Sequence, residues 1–522
     1  MIKKYLLAID GGTGSVRALL FDTNGNQIAI SQQEWTHQAI ANIPNSMGFD
    51  YINNWVLIKE CILDVLKLSK INSDDILAVS ATSMREGIVL YDEQGAELWA
   101  VANVDARAGN EVKFLKEKFP GIEERYYQQS GQTFSLGSIP RLLWLKNNQA
   151  EIYEKVAKIS MISDWILYKL SGILASEPSN AGTTGIFDLK NRTWAYQMME
   201  QVGLKTNIFP DCFESGTSFG NVSKTSSKET GLSCNTKVVL GGGDVQLGSA
   251  GLGVVKNGQV AILGGSFWQQ IVNIKSTIQP PIDMNIRINS HVINNLSQAE
   301  GITFFSGLIM RWFRDAFCDK EVERALKLGI SPYTILEDEA KKIPIGSYGI
   351  TPIFSDSMKY GKWYHASPSF INLSIDPMIC NRYSMFRSLE ENACIVSKIN
   401  LSKIEKFSSI KVDEIVFAGG ASRGELWCQI LADVTGCRIK VPKITEATAL
   451  GACIAAGVGA GIFQSIEDGA EKLVSFEKEY LPNINNYVKY QEIEAKWIKI
   501  YEAQLKLVDE NLTDSMWKAP GV

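Results

Sequence analysis

Two aspartates stand where a catalytic carboxylate would be useful. Asp10 closes the apolar run Tyr5-Leu6-Leu7-Ala8-Ile9 and is followed by Gly11-Gly12-Thr13-Gly14-Ser15. Asp244 follows Val238-Val239-Leu240 and three glycines, Gly241-Gly242-Gly243. A carboxylate beside an acceptor hydroxyl can take its proton, and a second one near a hard cation such as Mg²⁺ supplies an oxygen ligand. Together they meet the needs of phosphoryl transfer: a proton acceptor and neutralised phosphate charge. Either aspartate alone reads equally well as a turn or helix cap. Their matched placement after glycine-bounded strands favours chemistry.

The glycine turn after Asp10 is the natural place for phosphate, but two familiar loops fail on spacing. A Walker loop requires Lys and Ser/Thr after its last glycine, and a dinucleotide fingerprint must open a helix. Here Val16 to Asp22 is a second apolar run, Thr23-Asn24-Gly25-Asn26 is a turn, and Gln27 to Ile30 is a third run. That pattern is a β-meander whose hairpin amides can face an anion. The pattern returns in Gly258 to Asn273, where Val260-Ala261-Ile262-Leu263 leads into Gly264-Gly265-Ser266 and a further strand. Lys237 to Asp244 has its later counterpart in Glu414 to Ser422, which carries Gly419-Gly420. Two copies of one α/β unit would gather four glycine turns around a single cleft, with ligands at strand ends.

Those elements need supports. Asn53 to Lys70 places Trp55, Ile58, Ile62, Val65 and Leu66 on one helical stripe, and Asp75 to Ser83 reads as a strand. Glu446 to Gly461 is a helix of small residues suited to close packing. Two polar clusters lie in apolar surroundings, Ser83 to Gly87 with Arg85-Glu86 and Asn103 to Arg107 with Asp105. An arginine beside an acid at a strand end can hold vicinal hydroxyl or carbonyl oxygens, or form a structural ion pair. The 3 histidines are too scattered for a metal site, and no G-x-S-x-G elbow occurs.

With 522 residues, at least two domains are expected, divided near Gly251 to Asn257 into 1–252 and 253–522. A net charge of −5 disfavours nucleic-acid or anionic-membrane binding. No apolar stretch is long enough to span a membrane. Met1 to Asp10 reads as a first strand rather than a signal peptide, because Asp10 interrupts a short run. The 9 cysteines show no C-x-x-C pair, and a cytoplasmic enzyme is the expectation.

Asp10 to Arg17, Arg85-Glu86, Asp105-x-Arg107, Gly242-Gly243-Asp244, Gly419-Gly420 and Glu446 to Gly451 occur in the order seen in FGGY-type carbohydrate kinases, and the chain resembles that family throughout. The resemblance implies an α/β fold of two actin-like, ribonuclease H-like domains with ATP and Mg²⁺ in the cleft between them. It implies Asp244 as general base and metal neighbour, and Asp10 as the metal-associated aspartate. Gly12, Thr13, Gly14 and Arg17 fall in the first phosphate hairpin; Gly264, Gly265, Gly307, Arg311, Gly419 and Gly420 fall on nucleotide-contacting positions. Arg85, Glu86, Asp105 and Trp268 would contact the acceptor, Trp268 as an aromatic wall. Gly265 stands where many members carry Thr, and Leu136 where glycerol kinases place a substrate-contacting Tyr. Stretches such as SMREGIVLY, PSNAGTTG and MWKAPG are similar to the branch of the family that acts on the bacterial signal autoinducer-2. This likeness implies phosphorylation of its open form, 4,5-dihydroxypentane-2,3-dione, at the C5 hydroxyl. A kinase for a pentulose, glycerol or gluconate is the nearest alternative, and a non-catalytic ATP-binding actin-like protein a more distant one.

Overall fold

The computed structural model describes residues 4–356 and 364–521. The strand Tyr5–Gly11, buried along its whole length, turns at Gly12-Thr13-Gly14 into Ser15–Asp22 and then, past Gly25, into Gln27–Glu34. The three pair antiparallel, with Asp10 opposite Arg17, so the expected meander is present. Residues 1–3 of the expected first strand lie outside the described residues. On the other side of Tyr5–Gly11, Ile76–Ser83 and then Lys237–Gly243 add in parallel, and Ser218–Asn221 closes the six-stranded sheet. Both faces of its central strands are covered, which is why those strands read as continuous apolar runs. The helix Tyr51–Ser69 buries Trp55, Ile58, Cys61, Ile62 and Val65 against one face; Asp50 caps its start and Lys70 turns left-handed at its end.

The second, seven-stranded sheet repeats the plan. Val260–Gly264, Trp268–Lys275 and Leu296–Thr303 form its meander, and Glu414–Ala418 and Arg438–Pro442 add in parallel. Strand order corrects one expected pairing. The counterpart of Lys237–Gly243 is the fifth strand Arg438–Pro442, whereas Glu414–Ala418 corresponds to Ile76–Ser83. Glycines after a strand mark where backbone must pass closely, not which strand of the repeat is meant.

Each sheet receives a helix from the other part of the sequence. Ala447–Ala460 packs Ala449, Leu450, Ala452, Cys453 and Ala456 beneath Leu6, Ala8, Leu19, Phe21, Ala78 and Val239 of the first sheet. Asp244–Gly251 and the following loop pack Val245, Leu252 and Val254 against Ala261, Ile271 and Val416 of the second. The two helices cross at backbone contact. A β-carbon added at Gly451 would stand 1.9 Å from the carbonyl oxygen of Leu247, and one at Gly251 1.9 Å from that of Ala447. The small residues of the later helix are therefore there for packing, as its composition suggested. Gly451→Ala should lower the thermal midpoint by several degrees, because overpacking costs about 1–3 kcal/mol and outweighs the helix-propensity gain. An unchanged or raised midpoint by scanning calorimetry would contradict the crossing.

Candidate active site

Three parallel strands of the first sheet end side by side, and each delivers one polar group. Asp10 lies on Tyr5–Gly11, Arg85 follows Ile76–Ser83, and Asp244 follows Lys237–Gly243, in the sheet order that places Ile76–Ser83 between the other two. Asp244 is the first residue of its helix. Its Oδ1 accepts from the Val245 N–H at 2.8 Å, and Arg85 Nε lies 3.6 Å away. The side chain is 35% exposed, so the carboxylate opens on the cleft. Desolvation raises its pKa to about 7, Arg85 pulls the other way, and Glu86 and Asp10 add to the rise. A carboxylate tuned near neutrality is well matched to proton abstraction.

Arg85 is not a free guanidinium. It makes a two-pronged pair with Glu300 at 2.6 and 2.8 Å, and Glu300 also accepts from Asn289 Nδ2 at 3.0 Å. Burial alone would raise the Glu300 carboxyl, but Arg85 overrides it and the group sits below the usual range. Glu86 holds a left-handed backbone, φ 65°, rare for a residue with a side chain, and pairs with Arg287. Two ion pairs thus join the sheets across the cleft. Beyond them opens a cavity of about 170 Å³ whose walls include Glu86, Gln132, Leu136, Arg287, Phe304 and Trp517, drawn from both parts of the chain.

The expected nucleotide glycines converge. A β-carbon at Gly419, where φ is 101°, would meet the Gly264 carbonyl oxygen at 2.7 Å, and one at Gly307 the Gly265 carbonyl oxygen at 2.3 Å. Gly420 opens a short 3₁₀ turn beside them. Gly12, Thr13 and Gly14 form the first hairpin, where Thr13 Oγ1 accepts from Asn103 Nδ2 at 3.0 Å. Arg17 is committed elsewhere: it bridges Asp10 and Glu446, tying the hairpin to the start of Ala447–Ala460. Burial raises the Asp10 pKa even against Arg17. Arg311 is exposed on the helix Ser306–Phe317, one turn beyond Gly307.

Two expected acceptor contacts are overturned. Trp268 is fully buried in the core of the second sheet, with ring centroids 5.0 Å from Phe417 and 4.9 Å from Trp427, so it forms no wall of the cleft. The first position of its strand points inward, away from the site. Asp105 is also closed off: Arg107 binds its carboxylate, and its Oδ2 accepts from the Met47 N–H at 2.6 Å. Arg107 itself lies between the rings of Trp99 and Trp144. This cluster is a structural ion pair.

Several residues near the site escaped the sequence reading. Glu300, Arg287 and Gln132 are more than 150 positions from some of their partners, which spacing cannot reveal. Arg141, fully buried, donates to the backbone carbonyls of Glu86, Asn103 and Asp105 and so fixes both loops. Glu177 accepts from Ser179 N–H and Oγ–H, and Ser179 Oγ in turn accepts from the Gly243 N–H at 3.0 Å, next to Asp244. The PSNAGTTG stretch that follows Glu177 was the available signal.

Fold and site together define a two-lobed phosphotransferase, and the chain belongs to the FGGY family of carbohydrate kinases. Residues 5–251 match the family's N-terminal domain and residues 283–460 its C-terminal domain. The chain is 54% identical over 519 residues to an autoinducer-2 kinase of Yersinia pseudotuberculosis serotype O:3 (strain YPIII), spanning 99% of this chain and 98% of that one. It is 52% identical, with the same coverage, to an autoinducer-2 kinase of Salmonella typhimurium. Among solved structures, a ligand-bound xylulose kinase from Lactobacillus acidophilus superposes with a TM-score of 0.84 at 22% identity, covering 96% of this chain and 98% of the other. Plasmodium falciparum glycerol kinase with ADP gives 0.83 at 18% identity, covering 96% and 98%.

Burial pushes the Glu177 carboxyl up to about 8, with its Ser179 and Asn180 hydrogen bonds opposing. The folded protein then holds this proton at pH values where the unfolded chain has released it. The associated stability is complete below the ordinary carboxylate range near 4.5 and is lost as pH rises through about 8. Glu177→Gln should therefore flatten the decline of the thermal midpoint between about pH 6 and about pH 8. A decline as steep as wild type would count against the assignment.

Proposed function

We propose that this protein transfers the γ-phosphoryl group of ATP to the C5 hydroxyl of 4,5-dihydroxypentane-2,3-dione, the open form of autoinducer-2, in the cytoplasm. The observation that carries the reading is Asp244, set beside Arg85, whose neighbour Glu86 and partner Glu300 line a cavity built from both lobes, in a chain alike over nearly its full length to autoinducer-2 kinases. Asp244 accepts the C5 hydroxyl proton as that oxygen attacks the γ-phosphorus. The bond from phosphorus to the bridging oxygen breaks, and ADP leaves. Arg85, held by Glu300, presents its Nε edge toward Asp244 and orients the acceptor's oxygens. Glu86 accepts from an acceptor hydroxyl, and the hairpin amides of Gly12 to Gly14 face the phosphates. The glycines Gly264, Gly265, Gly307, Gly419 and Gly420 leave room for the nucleotide's backbone-close approach, with Arg311 at the rim.

Asp10 and Asp244 offer oxygen donors at the ends of the two strands that flank Ile76–Ser83, the ligand type that Mg²⁺ takes when it also binds nucleotide phosphates. Bound there, the ion would neutralise charge on the transferring group. The reading takes residues 1–252 and 253–522 as the two lobes, each lending one helix to the other.

A polyol kinase is the second reading, and the cavity wall argues against it. Leu136, Ile286, Ile302 and Phe304 line that wall, which suits the methyl ketone end of the dione better than a row of hydroxyls. Mass spectrometry of the product after incubation with ATP and the dione tests the proposal directly; a panel of pentuloses, glycerol and gluconate supplies the comparison. The dione should gain one phosphoryl group on C5, and exclusive turnover of a polyol would refute the substrate. Asp244→Asn should lower kcat by about a hundredfold or more, while near-normal turnover would remove Asp244 as the base. Arg85→Ala should raise the acceptor KM far more than the ATP KM, and should also lower the thermal midpoint because it strands the buried Glu300. Equal changes in both KM values would contradict an acceptor role.

A further inference from the structure

The segment Ser515–Gly521 crosses from one lobe to the other over the acceptor cavity. It leaves the long helix Ile484–Asp509, which is anchored in the core of the second lobe by Trp497, Tyr501 and Leu505. On that lobe the His365 N–H donates to the Trp517 carbonyl at 3.1 Å, and Tyr364 pairs with Lys518 in an isolated antiparallel bridge. The segment then reaches the first lobe. A β-carbon at Gly521, where φ is 81°, would stand 2.7 Å from Val112 Cγ1, and one at Gly109 would stand 3.3 Å from the Gly521 nitrogen. Both contacts lie on the helix Gly109–Lys118.

Between these two attachments Trp517 lines the cavity. Its ring centroid is 4.9 Å from that of Phe304, another cavity residue, and 5.7 Å from His365. Trp517 is only partly buried, unlike the core tryptophans, so it covers a space rather than filling one. We propose that Ser515–Gly521 is a strap that roofs the acceptor pocket, with Trp517 as the wall that seats the acceptor's apolar end and keeps water from the transferring phosphoryl group. This rests on the kinase reading above. Asp244 would deprotonate a water molecule as readily as a C5 hydroxyl. The water oxygen would then bond to the γ-phosphorus as the bridging bond breaks, giving ADP and inorganic phosphate with no phosphorylated acceptor. A kinase with an open pocket wastes nucleotide in this way, so exclusion of water is a function the roof would serve.

The test compares Trp517→Ala, Trp517→Phe and Gly521→Ala with wild type, using the acceptor that wild type turns over best. Three quantities are read: acceptor KM, ATP KM, and ADP released per acceptor phosphorylated. Trp517→Ala should raise the acceptor KM by about tenfold and lift the ADP ratio above wild type, with the ATP KM within about twofold. Trp517→Phe should restore most of both, since it keeps an aromatic face against Phe304. Gly521→Ala, which strains the distal attachment without touching the cavity, should fall between. Thermal midpoints close to wild type would confirm that the variants fold. An unchanged acceptor KM and ADP ratio in Trp517→Ala would overturn the strap, as would a rise in the ATP KM equal to that of the acceptor. Wild type that phosphorylates a polyol but not the dione would overturn the substrate assignment instead, leaving the strap to be measured on that polyol.

Discussion

The architecture depends on a crossing of two helices so close that neither tolerates a side chain at the contact. Gly251 and Gly451 bring the backbones of Asp244–Gly251 and Ala447–Ala460 together, each against a carbonyl of the other. Because each helix also packs under the opposite sheet, the crossing locks the two sheets into one frame. It also determines what lies at the helix starts: Asp244 on one, and Glu446, with its bridge through Arg17 to Asp10, on the other. Backbone contact of this kind has little slack, since packed interiors resist even small changes of volume.

Charge organises the space in front of that frame. Arg85–Glu300 and Glu86–Arg287 cross the cleft in opposite senses, so each lobe contributes one cation and one anion. Such pairs are costly to leave half-made in a desolvated site, which ties the position of Arg85 to the approach of the second lobe. The guanidinium that Glu300 holds from the second lobe is the one that stands 3.6 Å from the Asp244 carboxylate. Behind it, Glu177 and Ser179 hold the Gly243 amide, so the strand end is braced from below as well as from the cleft.

Much of this was legible in sequence because it is local. The opening meander follows from a glycine turn between two apolar runs and an Asn-Gly turn after them, and the stripe on Tyr51–Ser69 follows from helical spacing. The repeated plan was legible too, but its strands were mismatched, since glycines punctuate both the fourth and the fifth strands of the unit. Trp268 and Asp105 were misplaced for a related reason. An aromatic or an acid beside a turn has two faces to choose from, and the side it takes depends on sheets that the local run does not describe. Glu300 and Arg287 sit in ordinary-looking strands, and only their partners, more than 200 residues away, give them meaning. The family resemblance pointed to Arg85, Glu86 and Asp244, but the ion pairs to Glu300 and Arg287 depend on the second sheet's approach, which no local run describes.

The exchange of helices has a consequence for how the chain comes into being. When the first lobe's strands have left the ribosome, Leu6, Ala8, Leu19, Phe21, Ala78 and Val239 still lack the partner that covers them, because Ala447–Ala460 has yet to be made. At ordinary synthesis speeds of about 5–20 residues per second, roughly two hundred further residues take on the order of 10–40 s. For that interval the nascent lobe carries a naked apolar underside, long enough to recruit a chaperone or a wrong neighbour. Vectorial translation therefore leaves this half waiting for its own tail.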